Sequence, residues 1–302
     1  MRVLVTGGSG FIGSHVVDKL RDHGHKVRVF DMLPYVYRDD VEWYKGSLLN
    51  YDELRMAVNA IDVVYHLAAV ADVNDVYNDP LYAENINVRG TIHVLEAARR
   101  SGRVQRVILG STVWAYSESK TDRVDEMSPL SPPSHLYTAT KIASEYYCHS
   151  YTELYKLPTT VLRYGIPYGP RAREAAVIPT FVKKALNGEP ITVAGDGLQY
   201  RKFVYVEDLA EGNALAMADI AAGKLYNLEG QTRVSIREVA EAVQRIVGNA
   251  TIQFTESRPG DFSGKEIASD LARTELGWTP RVGIEEGIRR YVDWYKRTLT
   301  EA

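Results

Sequence analysis

The sequence predicts a doubly wound α/β fold, with a parallel sheet in the first 165 residues and a smaller lobe after it. Three observations carry that expectation. Short β-branched runs alternate with helical patterns up to about residue 165, the strands read as continuous apolar runs, and the rhythm changes after Gly165. Continuous runs such as Val63-Val64-Tyr65 and Val107-Ile108-Leu109 suit strands covered by helices on both faces.

Taken in order, strands are predicted over 2–6, 26–30, 42–45, 63–67, 106–109 and 159–163, with helices over 11–23, 52–59, 82–101 and 137–156 between them. Beyond Gly165 come Gly/Pro-rich connections at Pro167-Tyr168-Gly169-Pro170, Gly195-Asp196-Gly197 and Arg258-Pro259-Gly260-Asp261. Helical patterns at 178–187 and 236–247 and a strand at 203–206 lie among them. The expected division is 1–165, with 203–218 contributing to it, and 166–302.

The 302 residues are 45% hydrophobic and 25% charged, the balance of an ordinary globular protein. A formal net charge of -3 gives no electrostatic reason for a nucleic-acid or anionic-membrane partner. One cysteine, Cys148, excludes an intramolecular disulfide framework and any cysteine zinc site, and suits a reducing compartment. Met1 leads almost at once into Val3-Leu4-Val5 and then glycines, leaving no room for a cleavable leader, and no run reaches the ~20 apolar residues of a membrane span. A cytoplasmic protein is expected. The histidines show no metal-ligand spacing, so no metal is expected.

The segment Thr6-Gly7-Gly8-Ser9-Gly10-Phe11-Ile12-Gly13 follows a strand and opens a helix. A turn without side chains lets backbone amides approach a pyrophosphate, and the helix N-terminus adds a favourable dipole. Glycine turns also merely connect strands to helices, so the context decides. Asp31 ends the second predicted strand, where its carboxylate can accept from ribose hydroxyls and repel a 2'-phosphate. No Arg or Lys follows in Met32-Leu33-Pro34, which favours NAD over NADP in a Rossmann-type domain.

Tyr137 and Lys141 are spaced i, i+4 and share a helix face. A nearby ammonium favours phenolate over phenol and makes a tyrosine a usable general base. In a chain with 20 tyrosines such a pair is ordinary by itself. Gly110-Ser111-Thr112 narrows the choice, because it closes a predicted strand at the carboxyl edge of the sheet, where open α/β sheets bind ligands. Thr112 there can hydrogen-bond a substrate oxygen beside Tyr137.

With these residues in place the sequence resembles the extended short-chain dehydrogenase/reductase family, especially its nucleotide-sugar 4-epimerases of the UDP-glucose 4-epimerase kind. The resemblance runs over nearly the whole chain. It covers the glycine turn, Val64-Tyr65-His66-Leu67-Ala68-Ala69, Asn87-Val88-Arg89-Gly90-Thr91, Ser111-Thr112 with Tyr116, Tyr137 with Lys141, Leu162-Arg163-Tyr164, Tyr168-Gly169-Pro170-Arg171, Arg201, and Arg258 to Asp261 before Leu276-Gly277-Trp278.

The resemblance implies a catalytic Thr112, Tyr137 and Lys141. It also implies Ser47 and Leu48 beside the adenine, Leu67, Ala68 and Ala69 on the nicotinamide side, and Asn87 as support of the cofactor site. Arg201, Arg258 and Asp261 would hold the substrate's diphosphate and nucleoside, and Arg171 with Arg173 would be either a surface charge pair or a site for an acidic sugar, since relatives acting on UDP-glucuronate carry a second arginine there. It further suggests a homodimer.

Three positions depart from the family pattern: Ile166, Ala176 and Ala194 stand where relatives often carry polar or aromatic nucleotide contacts. Val113 and Trp114 stand where dehydratase and decarboxylase relatives carry acids, which ranks water elimination low. The expected activity is an NAD-dependent, redox-neutral 4-epimerase of UDP-glucose and UDP-galactose. Its competitors are a UDP-glucuronate 4-epimerase and an NAD(P)-linked reductase or dehydrogenase of a small carbonyl.

Overall fold

A computed structural model of the chain describes residues 1–256 and 265–301. They form two units. The first comprises Met1–Tyr164, Ala210–Leu228 and Glu266–Thr279; the second comprises Gly165–Leu209, Glu229–Lys265 and Pro280–Ala302, of which residues 257–264 and 302 lie outside the described set.

In the first unit, β1 (Arg2–Thr6), α1 (Phe11–Asp22), β2 (Lys26–Asp31) and β3 (Glu42–Lys45) build one winding of the sheet, and α2 (Tyr51–Ala57) leads back to β4 (Val63–His66), which starts the other. Then follow α3 (Val73–Asn78), α4 (Pro80–Glu84), α5 (Gly90–Ser101), β5 (Arg106–Thr112), β6 (Arg123–Val124), α6 (Leu136–Tyr155) and β7 (Thr159–Tyr164). The sheet is completed by β11 (Leu225–Leu228), giving the order β11-β7-β5-β4-β1-β2-β3. Every pairing in it is parallel. The order reverses between β1 and β4, so the chain winds outward in both directions from a crevice at the strands' carboxyl ends.

Strands β4, β5 and β7 are buried at every residue. A core of Leu4, Leu54, Val64, Val94, Leu95 and Leu109, among others, fills one face of the sheet. Helix α5 supplies Val94, Leu95, Ala97 and Ala98 to it, at helical spacing.

Four differences from the sequence expectations have physical causes. The strand predicted to stop at Leu109 runs on to Thr112, because Gly110, Ser111 and Thr112 pair with Leu162, Arg163 and Tyr164 of β7. The helix predicted over 82–101 starts earlier, with Pro80 in its first turn and the Asp79 side chain capping Tyr82 N–H, and contains a π-helical turn at Asn85–Arg89. The strand β11 was not foreseen.

Last, the segment expected to rejoin the sheet was 203–218. Residues 203–209 stay in the second unit, whereas Ala210–Leu228 and Glu266–Thr279 belong to the first. Among the contacts that hold these segments, β11 pairs with β7, and Trp278 packs so closely on Gly212 that a Cβ there would lie 2.8 Å from the indole nitrogen. The short strand β14 (Glu266–Ile267) pairs with β6, and α10 (Asp270–Leu276) follows it.

The second unit contains β8 (Ile166–Tyr168), α7 (Val177–Leu186), β9 (Ile191–Ala194), β10 (Tyr200–Tyr205), β12 (Arg233–Ser235), α9 (Ile236–Val247), β13 (Ile252–Thr255) and α11 (Ile284–Glu301). Helix α8 (Val206–Leu215) carries the chain from this unit into the first. Two small sheets, β12-β10-β8 and β13-β9, join helices α7, α9 and α11 around a core of Val182, Ile191, Tyr205, Val243 and Tyr291. Among the described residues no helix is long and apolar enough to cross a membrane.

Candidate functional site

The turn after β1 is built by backbone contacts that only glycine permits. Gly7 has φ +72°, and a Cβ on it would lie 2.6 Å from the Ala68 nitrogen. A Cβ on Gly13 would lie 2.1 Å from Gly7 O. Gly7 N–H donates to Phe30 O and Gly10 N–H to Gly7 O, so the turn is tied to β2 and folded on itself. Phe11 and Ile12 then open α1, whose N-cap is Gly10 with no side-chain cap and no acidic residue in the first turn. Uncapped amides at a helix start, reached over side-chain-free backbone, form a cradle for a pyrophosphate.

Asp31 closes β2 beside this turn. Its carboxylate accepts from Ser9 N–H at 3.1 Å and Leu33 N–H at 3.0 Å, which fixes both oxygens while leaving lone pairs for a diol. The segment after β3 is tied on by Gly46 N–H donating to Asp31 O. In it, Ser47 N–H donates to Glu53, and Leu48 is buried against Gly90 with its carbonyl bonded to His93 Nδ1.

Leu67, Ala68 and Ala69 leave the end of β4 half-buried. Asn87 clamps the next residue from both sides: its Oδ1 accepts from Val70 N–H at 2.8 Å and its Nδ2 donates to Val70 O at 3.0 Å. The same Nδ2 donates to Thr140 Oγ1 on α6. The π-helical turn places Asn87 for this, and its carbonyl accepts from Thr91 Oγ1 and Ser144 Oγ.

A buried histidine completes the seam. Thr91 gives its proton to Asn87 O at 2.6 Å, so His66 Nε2 is the donor to Thr91 Oγ1 at 3.0 Å. His66 Nδ1 then accepts from Thr6 Oγ1, whose oxygen in turn accepts from Ala68 N–H. Burial first, and the charge of Lys141 second, pull the imidazole pKa down to about 3, so the ring is neutral.

Tyr137 and Lys141 both lie on α6, which packs on β5, β7 and the 3₁₀ turn Val113–Tyr116. Tyr137 is half-buried, whereas Lys141 is 3% exposed. Burial pulls its ammonium down to about 8, against the opposing carboxylate of Glu145. Thr112 ends β5 at the carboxyl edge, and its Oγ1 accepts from Trp114 N–H at 3.1 Å. That bond occupies the hydroxyl as an acceptor and leaves its proton to give. Val113 is buried among Tyr116, Val124 and Ile267, and the Trp114 ring packs edge-on to His135.

Beneath this lies a network that sequence reasoning missed. Ser111 Oγ donates to Glu145 Oε1 at 2.5 Å, and Arg163 grips the same carboxylate through Nε at 3.0 Å and Nη2 at 2.6 Å. The guanidinium stands 4.7 Å from the Tyr116 ring centroid, and Tyr116 OH donates to Asn227 Oδ1. Both charged side chains are under 10% exposed. Deleting one partner of a buried pair typically costs about 3–5 kcal/mol. A glutamate within an amphipathic helix ordinarily faces water, so only the tertiary partners mark Glu145.

Of the other anticipated residues, Arg201 lies on β10 in the second unit, with Nη1 donating to Tyr200 O. Arg173 is exposed in the same unit, after Arg171 at φ +65°. Arg258 and Asp261 lie outside the described residues. Among the described residues no cluster of His, Cys, Asp and Glu side chains could hold a metal ion.

The model of the NAD-dependent epimerase/dehydratase family matches residues 3–228, the span that carries the glycine turn, Asp31, Thr112, Tyr137 and Lys141. The chain belongs to that family. A curated relative from Methanocaldococcus jannaschii, described as a putative UDP-glucose 4-epimerase, is 34% identical over 97% of this chain and 98% of its own. The crystal structure of the Thermotoga maritima UDP-glucose 4-epimerase with UDP-glucose superposes with a TM-score of 0.91 at 32% identity, covering 99% of this chain and 100% of that one. The Bacillus cereus UDP-glucuronic acid 4-epimerase, solved with UDP-glucuronic acid and NAD, gives 0.90 at 29% identity over 99% and 100%. The protein is therefore an NAD-dependent enzyme among the epimerases of the extended short-chain dehydrogenase/reductase family, and the cradle at Gly7 and Gly13 fits that cofactor.

Asp31→Ala should narrow the preference for NAD over NADP, because it removes a charge that repels a 2'-phosphate. Titrating both cofactors into the two proteins checks this; equal binding of NADP by the unaltered enzyme would contradict the role of Asp31.

Proposed function

We propose that the enzyme is a redox-neutral nucleotide-sugar 4-epimerase of the UDP-glucose/UDP-galactose type. The observation that carries this is a first unit bearing Thr112, Tyr137 and Lys141, with a buried valine and a tryptophan, not carboxylates, directly after Thr112. Water elimination needs an acid at the leaving hydroxyl, and neither Val113 nor Trp114 supplies one.

NAD, when bound, supplies a reversible hydride acceptor for C4 of the sugar. The protein's own residues handle the proton and the geometry. Tyr137 takes the O4 proton as general base and returns it after the sugar has turned. Lys141, charged at neutral pH, stabilises the phenolate. Thr112 donates its remaining proton to O4 and holds that oxygen in line with Tyr137. Asp31, the turn at Gly7, Gly10, Phe11, Ile12 and Gly13, and the segments at Ser47-Leu48 and Leu67-Ala68-Ala69 hold the cofactor, with Asn87 fixing the last of these through Val70.

Arg201 and Arg258 take the diphosphate, where a guanidinium fork matches phosphate oxygens, and Asp261 takes the nucleoside. Arg173 beside Arg171 keeps an acidic sugar such as UDP-glucuronate as the second candidate.

The enzyme works in the cytoplasm as a homodimer. The exposed apolar residues Leu81 and Tyr82 on α4 and Tyr146, Tyr147 and Leu154 on α6 form the surface for a second copy. Light scattering should give twice the chain mass of 33.9 kDa; a monomer at micromolar concentration would contradict this.

Given UDP-glucose, UDP-galactose and UDP-glucuronate, the enzyme should form the C4 epimer of at least one with no accumulation of reduced cofactor. Tyr137→Phe should lower turnover ~10²-fold while leaving cofactor binding intact. Sugar-product analysis beside the absorbance trace decides: oxidised product matched by reduced cofactor, or an eliminated-water product, would overturn the proposal.

A further inference from the structure

Glu145 is not among the residues assigned above to cofactor or substrate, yet it is a carboxylate buried one helical turn beyond Lys141 and two beyond Tyr137. Its position is over-determined, since Ser111 on β5 and Arg163 on β7 hold it with three hydrogen bonds. A buried ion pair seldom repays its desolvation in stability, so such a pair inside a catalytic unit calls for another use.

From this juxtaposition we infer that Glu145 is a positioning residue for the reaction, keeping the Lys141 ammonium charged in a dry site so that the Tyr137 phenolate can form. The inference rests on the catalytic roles proposed above for Tyr137 and Lys141.

Two acidic groups act on Lys141, the Glu145 carboxylate and the Cys148 thiol, and only the carboxylate is charged. His66 on β4 is neutral and offers no negative charge. Tyr164 on β7 is a phenol raised by burial, with its hydroxyl bonded to Asn213 Oδ1. Cys148, one turn further along α6, has its thiol pushed up to about 12 by burial and stays protonated. Arg163 on β7 is a cation engaged by the Glu145 carboxylate and the Tyr116 ring. Glu145 is thus the one anion among these groups, and it opposes the burial that pulls Lys141 down to about 8. Removing its charge lets burial pull the ammonium down further, and a lysine that is less often charged favours phenolate less. Glu145 stands nearer Lys141 than Tyr137, so its effect on the ammonium outweighs its direct repulsion of the phenolate.

The test follows tyrosinate absorbance and turnover against pH in NAD-loaded wild type, Tyr137→Phe, Glu145→Gln, and the paired Glu145→Gln/Arg163→Met. The paired variant removes both charges and so avoids stranding a buried guanidinium. The tyrosinate signal present in wild type and missing in Tyr137→Phe belongs to Tyr137.

In both Glu145 variants that signal should move to higher pH by about one unit, and kcat at neutral pH should fall about 10-fold and recover as pH rises. KM should hold. A paired variant whose tyrosinate signal stays at the wild-type pH, with any loss of kcat equal at every pH, would overturn the inference and leave Glu145 a structural residue. Near-normal turnover in Tyr137→Phe would overturn the catalytic assignment itself, an outcome distinct from failure at Glu145.

Discussion

Parallel pairing of all seven strands is the constraint on which the rest depends. Because every strand points the same way, Thr6, Asp31, His66, Thr112 and Tyr164 all arrive at one edge of the sheet, and the reversal of order between β1 and β4 opens a crevice there. A parallel sheet must be covered on both faces by its crossover helices. One of those covers is α6, so the helix that completes the sheet's burial is also the helix that presents Tyr137 and Lys141. Fold and site are the same packing problem.

The second requirement is polar chemistry without water. Lys141, Glu145, Arg163 and His66 are all buried, and each would be costly alone. His66, Glu145 and Arg163 are tolerated because their hydrogen bonds are made from elements far apart in the chain, Thr6 and Thr91 around His66 and Ser111 and Arg163 around Glu145, and Asn87 bridges Val70 and Thr140 in the same way. These bonds tie the turn after β1, the segment after β4 and helix α6 together. A geometry fixed this way costs no reorganisation when a proton moves.

Much of this was legible in the sequence, and what was not shares a cause. The glycine turn and the Tyr137/Lys141 pair depend on local rules, namely left-handed backbone and helical spacing, and these read directly from residue order. The strand Leu225–Leu228 was missed because it is four residues long and carries a buried asparagine, Asn227, whose partners Tyr116 and Ala268 are remote. The π-helical turn was missed because 82–101 is helical by every local measure, and only the tertiary bonds of Asn87 call for the extra residue. Glu145 looked like any surface glutamate until Ser111 and Arg163 placed it. Arg173 and Arg201 were anticipated from resemblance, and the structure puts both in the second unit.

The central claim is that a hydride leaves C4 and a proton leaves O4 of a sugar and that both return to the same molecule. The most direct measurement is epimerisation of a UDP-sugar deuterated at C4, in ordinary water, with both epimers examined by mass spectrometry. The account predicts that substrate and product retain the label fully, because the transferred hydrogen never meets solvent. Loss of deuterium to water, or label found only in released cofactor, would contradict it.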